Sequence, residues 1–223
     1  MLSVKLLFQI VFVGGCIDSP LTIRHAPSCK EGVLTYMSIR NSIKYWIDEG
    51  RLFELKPVLD SDAIERTLIV SKEIFDLLEG PWDDEPWARR CGRLRATLEA
   101  YVKGQRIGIC LKPFKGMRAY MARLDKPEDE VWDIRAIDPN PGLRLFGRFA
   151  DRDLFVALIW SPRSVEIPAS QRLPLGPRES AEWGNAILEC KAEWRKLFPS
   201  YQPIHGDEIH EYFENNVFPV GDS

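Results

Sequence analysis

No two of the five cysteines stand at a C-x-x-C spacing. Cys16, Cys29, Cys91, Cys110 and Cys190 are scattered and odd in number, which argues against a zinc ribbon or a self-contained disulfide framework. Cysteines spread in this way are mostly small buried hydrophobes in a reducing compartment. Histidine is scarcer still. His205 and His210 are five apart, and His25 is remote from both, so none forms the i,i+4 pair with which a helix holds a metal. There is no Gly-rich phosphate loop, no dinucleotide fingerprint and no G-x-S-x-G elbow. Neither a metal nor a cofactor is therefore expected. The longest apolar run near the N-terminus is roughly eight residues, too short to cross a membrane. Internal repeats and low-complexity blocks are absent.

Aromatic side chains and unevenly distributed charge are present instead. Aromatics make up 11% of the 223 residues and include seven tryptophans, a supply of large side chains that mostly build core. The net charge of −3 conceals a strong asymmetry. Residues 86–163 carry sixteen Lys and Arg against nine Asp and Glu, whereas 1–85 and 164–223 each have an acidic excess of five. A basic centre between acidic flanks suits an anionic partner such as RNA or DNA. It equally suits a charged sheet face paired with acidic neighbours.

The N-terminal "MLSVKLLFQIVFVGGC" has one lysine, an apolar stretch, small residues and Cys16. It reads as a weak export signal, or as a lipoprotein signal with Cys16 as acceptor. It reads equally as an upstream extension of a chain that starts at Met37, where regular patterning begins. The expected organisation is an extension over 1–36, a helical and strand segment over 37–85, and the main domain over 86–223. A start at Met37 implies a cytoplasmic protein, with no membrane contact unless 1–36 is a genuine signal.

Periodicity supplies the elements. Ile39, Ile43 and Ile47 predict a helix ending at Gly50. "RTLIV" reads as a strand, and Ser71 as the N-cap of a helix stopped by Gly80. The clearest helix follows "PWDDEP", with Leu94, Leu98 and Tyr101 on one stripe and Gly104 after it. Short strands follow in "QRIGICLKPF", "RAYMARLD", "EVWDIRAI", "LRLFGRFA" and "LFVALIW", the last a continuous apolar run expected of a central strand. "SAEWGNAILECKAEWRKLF" and "GDEIHEYFENNV" read as closing helices. Short strands separated by turn signals argue for hairpins. The expected fold is α+β, with one small, twisted antiparallel sheet of about four to six strands, flanked by N-terminal helices and a C-terminal helix.

No acid–base constellation is apparent, and the chemistry that remains is arginine. Arg135 and Arg144 flank the "DPNPG" turn, Arg148 lies further along the same face as Arg144, and Arg163 ends the next strand. Arginine offers a rigid fork of donors matched to phosphate. Four such groups on one face could hold an RNA backbone and stabilise in-line phosphoryl transfer. The alternative is pairing with Asp133, Asp151 or Asp153.

The order helix, "VWDIRAI", "PGLRLFGRFA", "LFVALIWSPR", helix resembles the RelE/ParE-like toxin superfamily, particularly its phage-derived HigB-like branch, over residues 86–195. The resemblance implies a small sheet of RelE type and a toxin of a toxin–antitoxin pair. Its partners would be RNA or the ribosome, with an antitoxin protein beside it. It further implies that Arg135, Arg144 and Arg163 are the catalytic positions of a metal-independent endoribonuclease. Arg148, Arg123, Lys112 and Arg93 then serve as nucleic-acid contacts. Three features depart from the pattern. Asp133 stands at an often basic strand position, "WSPRS" lacks paired lysines, and no Tyr or His follows as acid or base. These departures favour the alternative, a non-catalytic phage or mobile-element interaction protein of the same fold.

Overall fold

A computed structural model describes residues 38–82, 84–112, 119–163, 174–177 and 180–221, all within the unit Met37–Ser223. The signal-like extension over 1–36 and most of the Pro-rich loop after Arg163 lie outside the described residues. The helices are α1 (Ile39–Asp48), α2 (Lys72–Glu79), α3 (Glu85–Val102), α4 (Ala181–Leu197) and the short α5 (Ile209–Tyr212). The strands are β1 (Leu52–Glu54), β2 (Thr67–Ser71), β3 (Ile107–Cys110), β4 (Met121–Arg123), β5 (Trp132–Ala136), β6 (Leu143–Asp151), β7 (Leu154–Pro162) and β8 (Val217–Pro219).

Local chemistry fixes the helix starts. Ser38 and Ser71 accept from the backbone N–H groups of Asn41 and Ile74, and Asp84 accepts from Trp87 at 2.6 Å. Each satisfies a donor that a helix end leaves unpaired. Gly104 follows α3 with φ +66°, a left-handed conformation open to glycine at little cost. Between these ends α3 buries Trp87, Cys91, Leu94, Leu98 and Tyr101 on one stripe.

The sheet corrects the expected fold. Among the described residues it has eight strands in the order β1-β2-β7-β6-β5-β4-β3-β8, and it is mixed rather than antiparallel. β2 pairs with β7 in parallel, and β3 is parallel to both β4 and β8. The protein is α+β, but its sheet is not the small antiparallel one expected. The reason lies in β7, which is buried along its whole length. A strand apolar on both faces needs a partner at each edge and cover on each side. β6 supplies one edge through the "ADRD" turn, and the distant "TLIVS" of β2 supplies the other. At the far end, the segment expected as a closing helix is helical only over Ile209–Tyr212, and its last residue, Val217, instead opens β8, which runs along β3.

Helices cover both faces. One core layer joins α2, α3 and the tail aromatics Tyr212 and Phe213 to the sheet, and the other joins α1 and α4. α1 therefore shares a face with α4, while α2 and α3 take the opposite one. β6 and β7 slip register between Phe146 and Gly147, so Leu158 and Ile159 both reach the α4 layer. Gly147 has no room for a side chain. A Cβ there would lie 2.2 Å from the Val156 carbonyl oxygen and 2.6 Å from the Phe155 ring. No helix among the described residues is long and apolar enough to cross a membrane.

Candidate nucleic-acid interface

Register decides which arginines share a face. Arg135 lies opposite Arg144 across β5 and β6, and Asp133 and Arg148 follow at even spacings on the same side. This is the α4 side, where the Arg148 guanidinium lies 5.4 Å from the Trp194 ring centre. Arg163 sits on the ring of Trp183, also in α4, at 5.4 Å. The four sheet arginines thus share a face, but the helix layer packs against that face.

Their partners are internal. Arg135 donates from Nε to both carboxylate oxygens of Asp133, at 3.0 and 3.1 Å. Arg144 brings Nη1 to 3.4 Å from Oδ2 of the same carboxylate, which has no solvent exposure. Two cations bracketing one buried anion offset part of the cost of removing all three from water. Arg148 donates to the Asp129 carbonyl at 2.5 Å, and burial pulls its guanidinium below the usual arginine range. Arg163 donates to the Gly176 carbonyl at 3.1 Å.

Arg123 belongs to a different assembly on the α3 face. Glu130 has 2% exposure and a left-handed backbone (φ 49°). Its Oε1 accepts from Arg123 Nη1 at 3.1 Å and lies 2.9 Å from His205 Nδ1. Its Oε2 accepts from the Tyr212 hydroxyl at 2.7 Å and from Trp132 Nε1 at 3.3 Å. Burial, and then the bond to Glu130, push the Tyr212 phenol well above its ordinary range. Arg123 also donates to the Gly206 carbonyl at 2.6 Å. The side chain of His205 is 66% exposed. A buried carboxylate therefore holds one nitrogen of a solvent-facing imidazole. Sequence reading missed this group because Glu130 lies far from His205 and Tyr212 in the chain, and no local pattern connects them.

The remaining predicted contacts are on the surface. Lys112 is exposed just beyond β3, and Arg93 is exposed on α3, 3.4 Å from the carboxylate of Asp138. Arg93 lines an open groove of about 440 Å³ between α3 and the sheet end where β3 and β4 begin and β5 finishes. Thr97, Arg106, Gly108, Tyr120 and Arg135 also contribute to its walls, although the Arg135 guanidinium is held by Asp133. The Tyr120 hydroxyl is committed to the Thr97 carbonyl at 2.6 Å, which ties the sheet end to the helix. Arg106, not foreseen from the sequence, has no carboxylate partner among the described residues, and its guanidinium lies 5.1 Å from the centre of the Phe218 ring. Among the described residues no group of three or more His, Cys, Asp or Glu side chains gathers as a metal site. No family model, curated protein or solved structure matches the chain.

Proposed function

We propose that the protein is a non-catalytic nucleic-acid-binding protein of the phage or mobile-element kind, acting in the cytoplasm, and that it holds RNA along the groove between α3 and the strand ends. The observation carrying this reading is the contrast between two sets of arginines. Those of the sheet face are turned onto Asp133, backbone carbonyls and tryptophan rings. Arg93 and Arg106 instead border an open groove, and Arg106 has no carboxylate partner among the described residues. Guanidinium groups at the rim of a concave surface suit a phosphate backbone, and such contacts release counterions and make binding salt-dependent.

Fluorescence anisotropy of the full chain with a labelled single-stranded RNA tests this. Binding is expected to weaken steeply with salt. Arg93→Ala and Arg106→Ala should each flatten the logarithmic salt slope by about 0.7, the loss of one phosphate contact. Absence of binding at low salt would refute the reading.

A second reading, an RNA-cleaving toxin held in check by an antitoxin protein, has one observation in its favour. The imidazole of His205 is fixed by buried Glu130 and open to solvent, the arrangement required of a group that takes a proton from a ribose hydroxyl. Expression of the full chain, of His205→Ala and of Arg144→Ala, with growth and messenger RNA integrity as readouts, separates the two readings. Intact messenger RNA and normal growth with the unaltered chain would remove the toxin reading.

A further inference from the structure

β8 carries an aromatic ring that the core does not use. Val217 packs against the α3-side core, whereas Phe218 points the other way and is 38% exposed on the outermost strand. Phe218 pairs in register with Gly108, and the absence of a side chain there is what lets the ring lie across β3. A Cβ on Gly108 would meet ring atoms at 3.1 and 3.3 Å and a Val220 methyl at 2.6 Å. The Arg106 guanidinium lies 5.1 Å from the ring centre, and the same residue lines the groove. Arg106 is thus common to a cationic groove and an exposed aromatic face.

This combination is what a single strand requires and a duplex cannot use. Cations follow the backbone, while an unpaired base stacks on an aromatic ring or a guanidinium plane. In a duplex the base faces are already stacked on one another. We infer that Phe218 and Arg106 form a base-stacking platform continuous with the groove, which makes the protein selective for single-stranded over duplex RNA. The inference rests on the groove reading above and specifies its ligand.

The test compares a labelled single-stranded RNA with a duplex of the same sequence, using the full chain, Phe218→Ala, Phe218→Leu, Phe218→Trp and Arg93→Ala. The unaltered chain should prefer the single strand. Phe218→Ala and Phe218→Leu should weaken single-strand binding roughly tenfold while leaving duplex binding and the salt slope unchanged, and Phe218→Trp should retain the preference. Arg93→Ala should weaken both ligands and flatten the salt slope. An unchanged urea midpoint for the Phe218 variants shows that the edge strand is intact. Two results overturn the platform and leave the groove standing: Phe218→Leu binding as well as the unaltered chain, or Phe218→Ala keeping the full single-strand preference. Failure of the unaltered chain to bind either RNA overturns both.

Discussion

Arg135 is held by Asp133, two residues earlier on the same strand, with its Nε within 3.1 Å of both carboxylate oxygens. Neighbouring arginines that look like a phosphate site in the sequence are, at this point in the fold, the counterions of a buried acid. Asp133→Ala would leave Arg135 and Arg144 without that anion in a nearly dry setting. The expected loss of stability is about 3–5 kcal/mol, the usual cost of breaking a buried pair from one side. Urea unfolding measures it. Replacing Asp133, Arg135 and Arg144 together by leucine or methionine should restore most of the loss.

Glu130 ties the tail to the sheet. Glu130→Ala removes an acceptor shared by Arg123, Tyr212 and Trp132. A loss of about 3–5 kcal/mol is expected, because Arg123 is left buried without its anion. Hydrogen exchange should show the change first in residues 204–220, which this carboxylate anchors. Unchanged protection there would show that the tail is held by other contacts.

Two thiols should be silent. Cys91 and Cys190 have no solvent exposure, and burial pushes both up to about 12. At pH 8 roughly one molecule in ten thousand then carries the reactive thiolate. A thiol reagent, followed by peptide mass spectrometry, should label both only in denaturant.

Alkali should unfold the protein through its tyrosines. Burial raises Tyr101, Tyr120 and Tyr212 above the ordinary phenol range. The folded chain keeps these protons while the unfolded chain releases them near pH 10. Their contribution to stability is complete below that pH and declines as pH rises beyond it. Absorbance at 295 nm should show these three phenols ionising only together with loss of the native circular dichroism.

Gly147→Ala should destabilise by about 1–3 kcal/mol, since its methyl would press on the Val156 carbonyl and the Phe155 ring. The urea midpoint reports it. An unchanged midpoint would mean that the β6–β7 bulge relaxes freely.

Helix starts and stripes were legible in the sequence because their causes are local. Ser71, the Leu94–Leu98–Tyr101 stripe and Gly104 need only neighbours within a few turns to act. The antiparallel run over β5, β6 and β7 was legible for the same reason, through its two turns. The parallel pairs of β2 with β7 and of β8 with β3 were not, because the partners lie far apart in the chain and no single turn joins them. At the site, pairing of the arginines with Asp133 was one of two open readings, since alternation already put Asp133 and Arg135 on one face. The approach of His205 and Tyr212 to Glu130 depends on where the tail is carried after α4, and no periodicity encodes that.

The parallel pairing of β2 with β7 also has a consequence in time. The β6–β7 hairpin can close through its own short turn, but Thr67 must wait for Leu154, with two helices and four strands between them. Contacts so distant in sequence form late, after the loop-closure entropy has been met. During synthesis the apolar run "TLIVS" leaves the ribosome long before its partner strand exists. That segment is where a nascent chain would first engage a chaperone, and where slowed translation would most favour aggregation.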